Sequence, residues 1–129
     1  MTHRILVVED QEDLREIACF ALEGAGYDIV EAATGAEAVA NAEAKHPDLV
    51  VMDIQLPVLD GYEATRRIKA LPGMARTPVI AVSSFAMKGD EEKARAAGCD
   101  AYMTKPYSPK QLVDLVREFL AKCEDLPGS

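Results

Sequence analysis

Five short runs of apolar residues recur along the chain, and between them apolar positions repeat with a helical period. The runs are RILVV (4–8), YDIVEA (27–32), DLVVM (48–52), PVIAVS (78–83) and AYMT (101–104). Each is rich in Val, Ile or aromatic residues, which predicts strands of a buried parallel sheet. The segments between them read as helices. In the first, Leu14, Ile17, Ala18 and Ala21 stand at i, i+3, i+4 and i+7, which predicts a core-facing stripe ending at Gly24 and Gly26. Thr34 with Glu37, and Asp60 with Glu63, have capping-box spacing and open the second and third helices. The fourth helix, about residues 88 to 97, has only alanines for an apolar face and stops near Gly98, which predicts a loosely held element. Ser108 and Pro109 supply a cap and a first-turn proline to the last helix, whose apolar side carries Leu112, Leu115, Val116, Phe119 and Leu120.

A strand followed by a helix, five times over, predicts an α/β fold with a parallel sheet covered on both faces, because each parallel connection needs a crossover. The 129 residues suit one domain, residues 1–122, with a short tail at 123–129 and no output domain. In open sheets of this kind ligands sit beyond the carboxyl ends of the strands. Those ends carry Glu9 and Asp10 after the first strand, Asp53 after the third, Ser83 and Ser84 at the fourth, and Lys105 with Pro106 after the fifth.

Carboxylates held that close ionise together only if a cation offsets them. Lys105 is one such cation and a divalent metal another. A set of oxygen ligands, with no histidine or cysteine nearby, points to magnesium. A carboxylate beside magnesium and a lysine can attack phosphorus, and Asp53 is placed for this on a central strand, with the Pro57 turn holding the next loop open. Glu9 and Asp10 are better placed as metal ligands. Plainer readings stand beside this one. Asp10 also reads as a helix cap supported by Asp13, Asp53 as a turn residue, Ser83 as a buried hydroxyl bonded to backbone, and Lys105 as a solvated charge.

Composition narrows the function classes further. With 49% apolar and 28% charged residues the chain is globular rather than disordered. A formal charge of −8, without any basic cluster, argues against direct nucleic acid binding. No apolar stretch reaches the length of a membrane span and no export signal opens the chain, so no membrane insertion is expected and the location is read as cytoplasmic. Cys19, Cys99 and Cys123 have neither disulfide nor zinc spacing and read as reduced thiols. His3 and His46 read as surface residues, and Met52, Met74, Met87 and Met103 as filler.

At these positions the sequence resembles the response-regulator receiver domains of two-component signalling, over about residues 4 to 121. The resemblance rests on Glu9-Asp10, on Asp53 with Pro57 and Gly61, on Ser83, on the aromatic Tyr102, and on Lys105-Pro106. It implies a flavodoxin-like (βα)5 doubly wound fold with strand order 2-1-3-4-5. It further implies that Asp53 accepts a phosphoryl group from a histidine kinase or a histidine phosphotransfer protein. Magnesium would be held by Asp10, Asp53 and the backbone carbonyl of Gln55, with Glu9 helping through water. Ser83 and Lys105 would bind the phosphoryl group, Tyr102 would change rotamer with it, and the Lys105–Pro106 bond would be cis. The stretch FAMKGDEE is similar to DivK-type single-domain receivers, and also to receivers of hybrid kinases. Two positions depart from the common pattern: Glu9 where aspartate is commoner, and Ser84, next to the phosphoryl group, where alanine or glycine is usual.

The expected mechanism is a two-state switch. The phosphoryl group gains bonds from Ser83 and Lys105, the weakly packed fourth helix and its preceding SFAMKGD loop move, and residues of about 86–116 present a face to a downstream protein. A phosphatase of the haloacid dehalogenase kind is the competing class. Such enzymes carry a second aspartate two positions after the nucleophile, where this chain has Gln55, which cannot relay a proton. A pseudo-receiver that never accepts phosphate is a third possibility. No P-loop or dinucleotide glycine pattern is present.

Overall fold

The computed structural model describes residues 2–84 and 89–124, the side chains of 123 and 124 excepted. Strands β1 (Arg4–Val8), β2 (Asp28–Ala32), β3 (Leu49–Asp53), β4 (Val79–Ser83) and β5 (Ala101–Thr104) alternate with helices α1 (Glu12–Gly24), α2 (Gly35–Lys45), α3 (Gly61–Lys69), α4 (Asp90–Ala97) and α5 (Pro109–Glu124). The sheet is parallel throughout, in the order β2-β1-β3-β4-β5. This is the doubly wound α/β arrangement that the sequence predicts, and every strand run falls within two residues of its predicted place. The SFAMKGD loop in part (residues 85–88), with Met87 in it, and the side chain of Cys123 lie outside the described residues.

Alternation along each central strand divides the interior into two cores. Leu6, Val8, Val50, Met52, Val79 and Ala81 face Ala38, Ala42, Ala64, Ile68 and Ala94 of α2, α3 and α4. Ile5, Val7, Leu49, Val51, Ile80 and Val82 face Ala18, Cys19 and Leu22 of α1 and Leu112, Val116 and Leu120 of α5. Both faces of β1, β3 and β4 are therefore dry, which is why these runs are apolar at nearly every position. The alanine-rich helices bring little apolar bulk of their own but allow close approach to the sheet. In α4 only Ala94 and Ala97 are buried, as its weak apolar face predicts.

Helix ends follow the predicted caps. The Thr34 hydroxyl accepts from the Glu37 amide at 3.1 Å, and the Asp60 carboxylate accepts from the Glu63 amide at 2.9 Å. Ser108 and Gln111 cap each other reciprocally, at 3.1 and 2.8 Å. The α1 terminus departs from expectation. Its N-cap is Gln11, with no side-chain cap bond, so Asp10 does not cap the helix.

The face of α1 also differs from the prediction. Its buried residues are Ala18, Cys19 and Leu22, whereas Leu14 and Ile17 lie exposed, one residue of helix rotation away. Two forces set this rotation. Small side chains at 18 and 19 let the helix lie close to the sheet, and Arg15 must turn inward to donate to the Glu9 carbonyl at 2.8 Å and to the Glu31 carboxylate at 3.1 Å. A stripe chosen by hydrophobicity alone misses both.

Gly61, the first residue of α3, packs against the strand end that carries Asp53. A Cβ there would meet the Asp53 carbonyl oxygen and lie 2.6 Å from Ile54 Cα, both backbone atoms. Gly61→Ala is therefore expected to destabilise the fold by about 1–3 kcal/mol through overpacking. Thermal denaturation checks this, and an unchanged midpoint would mean that the loop yields freely.

Candidate phosphoacceptor site

The sheet order puts the carboxyl ends of β1 and β3 side by side, with Val8 level with Met52, at the point where the connections from β1 and β3 run to opposite sides. This topological switch point forms a crevice by construction. Glu9, Asp10 and Asp53 meet there, each offering a carboxylate oxygen within 4.8 Å of the others. Asp53 is 3% exposed and Glu9 6%, while Asp10 is open to solvent.

From the opposite side comes Lys105, just after β5. Its Nζ lies 2.5 Å from Glu9 Oε1 and 3.4 Å from Asp53 Oδ2. It is a partly buried ammonium between two buried carboxylates, not a solvated charge. The extra methylene of glutamate, compared with aspartate, lets Glu9 reach across to it. The other Asp53 oxygen, Oδ1, accepts from the Gln55 amide at 2.9 Å, so the carboxylate is held from both ends. The Lys105–Pro106 peptide bond is cis.

Ser83, at the end of β4, is buried, and Ser84 is exposed and shares a cleft of about 430 Å³ with Lys105, Pro106, Tyr107, Gln11, Leu14 and Ile17. Tyr102 sits on β5, half-buried against the core on the α2–α4 side of the sheet. Tyr107 borders the site on the other side. Burial, and then the negative charges of Glu9 and Asp53, push its hydroxyl up to about 12, so it stays neutral at ordinary pH. Cys19 and Cys99 are buried free thiols whose ionisation burial also suppresses.

Between Asp53 and α3 the chain turns sharply at Pro57–Val58–Leu59. The Leu59 amide donates to the Pro57 carbonyl at 2.8 Å, and Val58 takes a φ of 67° with its side chain fully exposed. A β-branched residue in that region of φ is unusual, and the tight turn around it accounts for the conformation.

Sequence reasoning did not single out Arg15, which ties the Glu9 backbone to α1, nor Tyr107, nor the contacts of the Gln55 side chain with Ser83 and Ser84. An arginine within the acidic EDQEDLRE stretch was the available signal for the first. Tyr107 and Gln55 make their contacts only through the tertiary fold.

The fold and the acidic crevice with its lysine define a receiver, and the sequence profile of the response regulator receiver domain matches residues 5–117. The chain belongs to that family. Its relatives include the polar-differentiation response regulator DivK of Brucella ovis, 41% identical over 120 residues that make up 93% of this chain and 98% of that protein. Among solved structures, the receiver domain of the sensor histidine kinase PA1611 from Pseudomonas aeruginosa PAO1 is 36% identical, with a TM-score of 0.86 over 94% of this chain and 99% of that one. That structure has a magnesium ion coordinated in its active-site cleft. A CheY-like receiver from Methanospirillum hungatei JF-1 superposes with a TM-score of 0.90 at 31% identity, covering 96% of this chain and 98% of that one. Receiver domains are signalling proteins rather than turnover enzymes, and they interact with histidine kinases and downstream targets. Among the described residues no helix is long and apolar enough to cross a membrane.

Proposed function

We propose that this chain is a single-domain response regulator that takes a phosphoryl group onto Asp53 from a phosphohistidine donor and passes the signal on by protein contact. The observation that carries the reading is Asp53 itself, a buried carboxylate clamped between the Gln55 amide and the Lys105 ammonium. One of its oxygens forms the new P–O bond as the donor's P–N bond breaks, and the departing imidazole nitrogen keeps the electron pair. Lys105 offsets charge on the phosphoryl oxygens during transfer. Three carboxylate oxygens within 4.8 Å, all hard donors, fit magnesium; in this reading Asp10, Asp53 and the Gln55 carbonyl would hold it directly and Glu9 would help through water. Magnesium held there would offset the carboxylate charge and supply a Lewis acid for the phosphoryl oxygens.

The exposed apolar residues support a donor that docks by contact. Phe20 is 83% exposed and Ile17 53%, and with Leu14 they run along α1 toward the cleft that holds Lys105. Val58 stands exposed on the loop that follows Asp53. A histidine kinase or phosphotransfer protein seated on α1 would bring its phosphohistidine to the crevice. For output, residues of about 86–116 remain the proposed face, because α4 buries only two alanines and is the helix with least to hold it. Ser83 and Tyr102 are the switch residues of this reading. The stand-alone role, with the domain at 1–122, follows the relatives named DivK, which this chain matches over 98% of their own length. A cytoplasmic location suits free thiols at Cys19 and Cys99.

The test is chemical. After incubation with magnesium and acetyl phosphate, borohydride reduces an aspartyl phosphate to homoserine, and peptide mapping should find homoserine at position 53. Steady hydrolysis of simple phosphate esters, with no such residue, would instead favour a phosphatase.

A further inference from the structure

The side chain of Gln55 ties the loop after β3 to the end of β4, beyond the reach of the strand ladder that ends at Ile54 and Val82. Its Nε2 donates to Ser83 Oγ at 3.0 Å, and its Oε1 accepts from the Ser84 amide at 2.8 Å. One carboxamide thus closes the end of β4 from the loop after β3, across 28 and 29 residues of chain. Its own backbone amide meanwhile holds Asp53 Oδ1. The Asp53 carboxylate and the β4 end are therefore bridged by a single residue.

We infer that the Gln55 carboxamide is a placeholder latch, which occupies the Ser84 amide and anchors Ser83 Oγ in place while Asp53 is unmodified, and so opposes their turning to a phosphoryl group. The inference rests on Asp53 being the phosphoacceptor. A phosphoryl group adds close to two negative charges and three strong acceptor oxygens beside this strand end. The Ser84 N–H can serve one acceptor well, and the neutral Gln55 oxygen now has it. A charged acceptor binds such a donor about twice as strongly as a neutral one, so the phosphoryl group wins the exchange, but only by the difference between the two bonds. The bond from the Ser84 amide to Gln55 must be given up in the same step. Gln55 acts on the phosphoryl group through Ser83 and Ser84, as a positioning residue that sets the threshold for switching.

The latch predicts a gain on its removal. Gln55→Met keeps the length of the side chain without its donor or acceptor, and Gln55→Ala removes the side chain altogether. Beryllium fluoride with magnesium serves as the probe, since fluoroberyllate on a carboxylate mimics a phosphoryl group. Isothermal titration of wild type and both variants is expected to show about tenfold tighter binding in the variants, the equivalent of roughly one or two ordinary hydrogen bonds released in advance. The amide resonance of Ser84 should move in the free variants, and their amide spectra verify the fold. A merely structural Gln55 would lower stability without raising affinity. Equal or weaker binding by the variants, with wild type binding normally, overturns the latch. Failure of wild type to bind the probe at all overturns the phosphoacceptor reading, and the latch with it.

Discussion

Lys105→Met is expected to slow phosphoryl uptake by Asp53 from acetyl phosphate by about a hundredfold to a thousandfold, the usual loss when one preorganised charge-stabilising donor is removed. The geometry gives the reason. Lys105 Nζ is 3.4 Å from Asp53 Oδ2, within reach of a group built onto that carboxylate, and it is partly buried, where its field is little weakened by water. Methionine preserves the bulk and removes the charge. The same change leaves Glu9 and Asp53, both buried, facing each other without their shared cation. Without magnesium the variant should therefore melt below wild type, and added magnesium should restore much of the difference. Rapid-quench measurement of labelled protein reads the rate. A loss of less than tenfold would remove Lys105 from the chemistry and leave it a structural counterion.

Asp10→Asn is expected to weaken magnesium binding by at least about tenfold to a hundredfold, since the change takes a full negative charge from a three-carboxylate cluster. Asp10 is exposed and caps no helix, so its removal should cost the fold little. That separation makes it informative. In wild type, magnesium at a hundred times its dissociation constant should stabilise the protein by about 2.7 kcal/mol through mass action. At the same magnesium concentration the stabilisation of Asp10→Asn should fall to about 1.4 kcal/mol for a tenfold weakening and to about 0.4 kcal/mol for a hundredfold one, and its midpoint without magnesium should stay close to that of wild type or above it, as like-charge repulsion falls. Thermal scans with and without magnesium decide this. A magnesium shift of equal size in both proteins would place the ion elsewhere.

Much of this architecture was legible in the sequence, for reasons that particular residues make plain. Both faces of β1, β3 and β4 are buried, so their runs carry an unbroken apolar signal. Local hydrogen bonds fix helix starts, so Thr34, Asp60 and Ser108 announce theirs. What failed was the rotation of α1. Leu14 and Ile17 look like core residues, but the helix turns Ala18 and Cys19 to the sheet, and Arg15 locks it there by reaching the Glu9 carbonyl. Hydrophobic pattern records which residues are apolar, not which face a half-buried arginine needs. The exposed apolar face that results is where the donor is proposed to bind.

The site was legible in another sense. Strand order converts a list of strand-end residues into neighbours, so Glu9, Asp10, Asp53 and Lys105 could be expected together once a parallel sheet was inferred. Their particular pairings could not. Lys105 and Glu9 are 96 residues apart, and nothing local signals that Glu9, rather than Asp53, lies nearer the ammonium. The Gln55 bridge to Ser83 and Ser84 is equally silent in sequence, where Gln55 stands out for its backbone carbonyl as an expected magnesium ligand and for the aspartate it replaces in another enzyme class.

The central claim is that Asp53 accepts a phosphoryl group with the help of magnesium, and intact mass spectrometry tests it most directly. Wild type and Asp53→Asn would be incubated with acetyl phosphate, with magnesium or with chelator. The account predicts a gain of one phosphoryl group in wild type with magnesium, and none with chelator or in Asp53→Asn. An equal gain in Asp53→Asn would place the phosphoryl group on another residue and contradict it.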